Sequence, residues 1–420
     1  MNTAKHSKSD EPKTVDIAII GGGIVGATLA SLLASSPLTR TLSVALIDLH
    51  EPNTTPDLNS FDDRVVALSP ESQAILTRAN AWHEITAMRA CAYQSMSVWD
   101  ADGTGHIEFD ARSNHKPYLG HICENRVVVA GLNKALSNAT NVQQIRGVTL
   151  ASATAEDTEY NKGYHLTLSD ESSVHCSLLL AADGANSGVR RSIGIDTSEW
   201  DYEHNAIVAT IRTERPHQFC AWQRFSVDGP LAFLPLSANA QDDRSVSIVW
   251  SLRPEKVSEL MAMPRTDFCE ALAAGLENTL GKVELLGELT SIPLRQRHAL
   301  TYIKQGAALL GDAAHTIHPL AGQGVNLGLY DAQAMVDELE RAVKREIPLQ
   351  DGSILRRYER QRQPANLMAM AAMEAFKRGF GSDNIGVRWA RNVGLNTVNA
   401  HPLLKQVFSR VAAGGAAHGR

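Results

Sequence analysis

"VDIAIIGGGIVGATLASLLASS" (Val15–Ser36) decides the fold. Val15–Ile20 is a short apolar run, the right length for a buried strand. Three glycines follow, and then a segment rich in Ala, Ser and Leu that reads as a helix. Gly21, Gly23 and Gly26 stand in the GxGxxG spacing, in which the first glycine allows the turn, the second lets backbone approach a pyrophosphate, and the third lets helix pack on strand. "LSVALID" then forms a second strand ending in Asp48, placed to accept hydrogen bonds from an adenosine ribose. Strand, turn, helix, strand and terminal acid describe a dinucleotide site, and both NAD and FAD carry the ADP half that fits it.

A basic tail with Lys5, Lys8 and Lys13 precedes this stretch, which is also how an export signal begins. Asp16 and the glycine triplet argue against that, because both interrupt a continuous apolar helix. No other run approaches the roughly 20 apolar residues of a membrane span. With 420 residues, 44% hydrophobic and 20% charged, the chain can bury a large core and is expected to divide into two or three domains. A net charge of -6 offers no basic field, so nucleic acid is not expected as a partner. Five scattered cysteines without a CxxC pair point to a reducing, cytoplasmic setting with no disulfide framework and no zinc.

A second stretch, "GDAAHTIHPLAGQGVNLG" (Gly311–Gly328), repeats the architecture. "GAALLGD" before it is a strand that delivers Asp312, and "NLGLYDAQAMVDELERAV" after it has helical apolar spacing. A helix start beside glycines accommodates a flat, electron-rich ring. His315 and His318 are three residues apart, but no carboxylate or cysteine set accompanies them, so a metal is not expected. His315 is expected to hydrogen-bond within the loop.

This motif and "LLAADGANSGVR" (Leu179–Arg190), taken with the glycine fingerprint in the same order, resemble the flavoprotein monooxygenases built like para-hydroxybenzoate hydroxylase. "FDDRVVALS", "SMSVWDADGTGHIEFD", "LGHICENRVV", "WDYEHNAIVATIRTERPH" and "GPLAFLPL" are similar to the ubiquinone-biosynthesis FAD-dependent hydroxylases, most of all those acting on a 2-polyprenylphenol. The resemblance implies that Asp312, with Gly311 and Gly322, holds the ribityl chain of FAD, and that the backbone of Gly324, Val325 and Asn326 lies beside the flavin's pyrimidine edge. It implies Asp183 and Gly184 near the pyrophosphate, Arg64 and Arg126 near the FAD, and His318 and Pro319 at the flavin face as catalytic candidates. The implied reaction is ring hydroxylation of a polyprenylphenol, with NAD(P)H reducing FAD and O2 forming a flavin C4a-hydroperoxide. The residues themselves leave two alternatives open, a flavin-bearing scaffold or sensor without catalysis and a dinucleotide-dependent dehydrogenase without oxygen chemistry.

The expected fold class is α/β: a doubly wound, Rossmann-like FAD-binding domain from 15–88, 118–195 and 297–347, and a sheet-rich substrate domain from 89–117 and 196–296. Residues 1–14 form a polar tail and 348–420 a C-terminal helical segment. "ATAEDTEYNKG" reads as a loop. His204, Tyr202 and Glu203 are the nearest candidates for a phenol base. "NLMAMAAMEAFKRGF" (Asn366–Phe380) either packs in the core or lines the passage for a prenyl tail or docks on a membrane or partner subunit. The partners left open are subunits of a ubiquinone-biosynthesis complex, a peripheral membrane contact and a second copy in a homo-oligomer.

Overall fold

Val15, Ile17, Ala18, Ile19 and Ile20 are all buried, so the first strand, Lys13–Ile20, reads as a continuous apolar run rather than an alternating one. That is the signature of a parallel strand covered on both faces. In the computed structural model, which describes residues 13–101, 103–157, 162–317 and 323–380, this strand is central. Among the described residues it belongs to an eight-stranded sheet, in which Ala307–Leu309, Ser173–Ala181, Lys13–Ile20, Val44–Asp48 and Val142–Arg146 run side by side and parallel. The helices Ile24–Ser35 and Gln323–Lys344 pack on it, with Leu29, Leu32, Leu33, Met335 and Leu339 wholly buried.

A nine-stranded sheet runs beside it, dominated by the antiparallel strands Thr197–Thr213, Gly229–Pro235, Ser245–Leu252 and Thr290–Ala299. The two-residue period is kept along residues 206–211 of Thr197–Thr213. Ile207, Ala209 and Ile211 face the helices Pro254–Met261 and Arg265–Gly275, while Ala206 and Val208 pack on the opposite face with Leu294. The strand His315–Thr316 pairs with Arg297–His298 and so fastens this sheet to the end of the Gly311 loop.

The stretch expected to be a loop is mostly strand. Leu150–Asp157 pairs antiparallel with Lys162–Leu168, and residues 158–161 lie outside the described residues. Among the described residues Leu150–Asp157 pairs on one side only, so water reaches much of it and its Ala, Thr and Glu content carries no apolar signal. The C-terminal helix, Gly352–Phe380, runs through Pro364. Met370 is buried in the main core and Met373 packs against the cluster around Tyr93 and Phe109, whereas Leu367 and Met368 are exposed. The core reading therefore holds for Met370. Met370→Gln should lower unfolding stability by about 2–5 kcal/mol, read as the shift in urea midpoint. Met368→Gln should leave that midpoint unchanged. Among the described residues no helix is long and apolar enough to cross a membrane.

Two buried histidines make the fold acid-sensitive. His121 is wedged edge-on between Trp82 and Tyr118, at centroid distances of 4.8 and 4.4 Å, and burial pushes it down to about 4. His298 is likewise pushed down to about 4, by burial and then by neighbouring His315. In the unfolded chain both titrate near about 6.5. Between those values the unfolded state binds protons that the native state refuses, so stability must fall as pH drops from about 6.5 to 4. The urea midpoint should decline over that window, and His121→Phe should flatten the decline.

Candidate functional site

Parallel strands place all their carboxyl ends on one edge, where ligands of open α/β sheets bind. Here that edge gathers, in spatial order, Asp312, Asp183, Gly21, Asp48 and Arg146, each at or just beyond a strand end. Backbone bonds hold the strand exits together: Ala182 N–H donates to Ile20 O, Gly21 N–H to Ile47 O and Leu310 N–H to Ala181 O, each at 2.8 Å.

The three fingerprint glycines differ in what surrounds them. Gly21 has φ +101, and a Cβ there would lie 2.3 Å from Ala182 O. A Cβ on Gly26 would lie 1.9 Å from Gly21 O, so no side chain fits between helix and turn there. Gly23 is the reverse case, since a Cβ there meets nothing within 4 Å. It is the N-cap of the Ile24–Ser35 helix, where no side chain caps the backbone and no acid stands in the first turn. Uncapped N–H groups opening on free space are what an anionic pyrophosphate requires. At the far side Asp48 Oδ2 accepts from Gly22 N–H at 2.5 Å, and the Arg146 guanidinium lies alongside.

Asp183 accepts from Val189 N–H at 3.1 Å through Oδ2, while its Oδ1 is buried without a partner among the described residues. Gly184, φ +79, also faces open space. Arg190, which sequence reasoning passed over, ties this loop to the next by donating to Ala313 O at 2.7 Å and Ala185 O at 2.8 Å. Asp312 exposes its side chain in the cleft between these loops, yet enough protein surrounds it that burial raises its carboxyl above the usual range, with His315 and Arg64 pulling the other way. Its side chain makes no hydrogen bond among the described residues. A Cβ on Gly324, in the first turn of the Gln323–Lys344 helix, would lie 3.9 Å from Asp312 Oδ1. Asn326 commits its side-chain oxygen to Ser69 N–H and Ser72 Oγ and donates its amide to Ala67 O.

Arg64 is exposed, close enough to Asp312 to act on its charge, and makes no ion pair among the described residues. Arg126 lies in the first turn of the helix Asn125–Leu136, and its side chain is committed to protein partners. It donates to Glu124 Oε1 at 2.9 Å and to Ser60 O. Buried Glu124 also meets Arg89 at 2.6 Å and accepts from Asp62 N–H, so one carboxylate and two arginines hold the segment that carries Arg64. His318, Pro319 and Gly322 lie outside the described residues. Glu203 sits at φ 52 in a bulge of Thr197–Thr213, next to His204. The side chain of Tyr202 is outside the described set.

His315 differs from expectation: its partner is Asp331 on the following helix, not a loop atom. With Arg362 and Asn366 from the C-terminal helix, Asp331 forms a buried network that no motif announced. The signal available was one acid on the inner face of an amphipathic helix.

The family described as "FAD binding domain" matches residues 14–373. The chain is 33% identical to "Ubiquinone biosynthesis monooxygenase COQ6, mitochondrial" of Xenopus tropicalis, covering 96% of this chain and 94% of that protein. It is 34% identical to the "3-demethoxyubiquinol 3-hydroxylase" of Escherichia coli, covering 95% and 98% respectively. Among solved structures, the p-nitrophenol 4-monooxygenase PnpA of Pseudomonas putida aligns with a TM-score of 0.75 at 17% identity, over 96% of this chain and all of that one, a likeness of fold.

Proposed function

We propose, because the chain belongs to the FAD-binding-domain family of flavoprotein hydroxylases, that it hydroxylates the ring of a polyprenylated phenol intermediate of ubiquinone biosynthesis. FAD is its cofactor, NAD(P)H the reductant and O2 the oxidant. One oxygen atom enters the ring and the other leaves as water, with two electrons drawn from NAD(P)H. The observation that carries the reading is the meeting of Asp312, Asp183 and the open Gly23 at adjoining parallel strand ends.

FAD, when bound, supplies the activation of oxygen. This chain's residues bind and orient. The Gly21–Gly26 turn and the Ile24–Ser35 helix start take the pyrophosphate, Asp48 the adenosine ribose, and Asp312 a ribityl hydroxyl. Asp183 Oδ1, buried and without a partner among the described residues, has acceptor capacity for a further donor of the cofactor. The N–H groups at Gly324, Val325 and Asn326 favour negative charge on the reduced ring by about 1 kcal/mol, up to 2 where partly buried. Arg64 adds a cation on the same side. The aliphatic cluster of Ala206, Val208, Val249, Ile292 and Leu294, on the sheet face opposite the helices, is the proposed seat for an aromatic ring. His318 and Pro319 remain the proposed residues at the flavin face. We place the enzyme in the cytoplasm, in peripheral contact with the membrane that dissolves a prenylated substrate.

Purified protein should be yellow, release FAD on denaturation, and couple NAD(P)H oxidation to one 18O atom from labelled O2 in the phenol product. Colourless protein with no affinity for FAD would overturn the reading. Bound flavin with no ring product would leave the scaffold alternative, and substrate oxidation without O2 the dehydrogenase.

A further inference from the structure

Asp312 has no side-chain partner of its own among the described residues, so its direction is set by whatever holds the backbone on either side. Both sides are held by one carboxylate. Asp331, wholly buried on the Gln323–Lys344 helix, accepts at Oδ2 from Gly311 N–H at 3.0 Å and from His315 Nε2 at 2.5 Å. At Oδ1 it accepts from Arg362 Nε at 2.7 Å and Asn366 Nδ2 at 3.1 Å. Arg362 donates onward to Asn366 Oδ1 at 2.8 Å, and Asn366 meets the Tyr302 hydroxyl at 3.3 Å. Gly311 itself sits at φ +57, a left-handed conformation that glycine adopts freely and a side chain would resist.

We infer that Asp331 is a positioning residue of the cofactor site: it fixes the Gly311–His315 loop so that Asp312 points at the cofactor's ribityl chain. The inference rests on the FAD reading above. Buried ion pairs seldom add stability over apolar packing of the same volume, but they do impose one geometry. Asp331 carries its charge because His315 and Arg362 outweigh the burial that would otherwise raise its pKa. The same network fastens the C-terminal helix to the loop, so that helix shares in setting the site.

Titration of apoprotein with FAD tests this. Asp331→Asn keeps the volume but cannot accept from four donors, and should raise the FAD dissociation constant about tenfold or more and shift the visible absorption of the bound flavin. Should that variant be insoluble, two changes at His315 decide. His315→Gln retains an N–H for Asp331 and should stay within about threefold of the parent, whereas His315→Phe fills the space without a donor and should weaken FAD about tenfold or more. Parental affinity and spectrum in Asp331→Asn or in His315→Phe would overturn the inference, as would equal damage from glutamine and phenylalanine. A parent protein that binds no FAD would count against the functional reading instead.

Discussion

Gly23→Ala is expected to leave the apoprotein intact while weakening FAD at least about tenfold, a loss of roughly 1.4 kcal/mol or more. The backbone at Gly23, φ -68 and ψ -171, is open to any residue, and the added methyl meets nothing within 4 Å. Its urea midpoint should therefore match the parent or rise slightly, since alanine narrows the unfolded ensemble by about 0.4–1 kcal/mol. On the proposed reading, the methyl would occupy the space into which the pyrophosphate comes. Gly26→Ala should behave in the opposite way. With its Cβ 1.9 Å from Gly21 O, helix and turn must separate, costing about 3 kcal/mol or more in the apoprotein itself. Measuring both variants for apoprotein stability and FAD affinity separates a ligand-binding turn from a merely tight one. Unchanged flavin affinity in Gly23→Ala would show that the open space serves something else.

Asp312→Ala should weaken FAD by about tenfold to a hundredfold, as expected for a charge-assisted hydrogen bond of roughly 1.5–3 kcal/mol. The structure adds a second expectation. Because burial raises this carboxyl above its unfolded value, the native state holds its proton more tightly than the unfolded chain does, and the group's contribution to stability falls as pH rises past that range. The apoprotein carries the cost of a carboxyl whose ionised form its surroundings disfavour and which has no side-chain hydrogen bond among the described residues. Alanine should remove it, leaving the apoprotein as stable as the parent or more so, while FAD binds less well. If Asp312 instead only capped the turn, stability would drop and flavin affinity would survive.

The local pieces were legible before the fold was known. Gly21, Gly23 and Gly26 specify a turn by the backbone they permit, and Val15–Ile20 and Val44–Asp48 announce buried parallel strands by near-continuous apolar runs broken only by Asp16 and ended by Asp48. Asp48 and Asp312 could be singled out because each stands at the end of a strand, Asp48 after the glycine fingerprint and Asp312 before a glycine-lined helix start. These are short-range properties, written in neighbouring residues by the two periods of strand and helix. Misreadings fell where neighbours carry no such signal, as in the polar edge strand Leu150–Asp157.

Which loops meet is another matter. Strand order puts Ala307–Leu309 beside Ser173–Ala181 and that beside Lys13–Ile20, although the three are far apart in the chain, and only this order brings Asp312 and Asp183 to Gly23. The buried partners follow the same rule. Glu124 gathers Arg89 and Arg126, and Asp331 gathers Gly311, His315, Arg362 and Asn366, through contacts as distant as 35 residues. An acid on an inward helix face looks the same in sequence whether it caps, pairs or positions. Its role exists only once burial removes water and leaves a few specific donors to satisfy it.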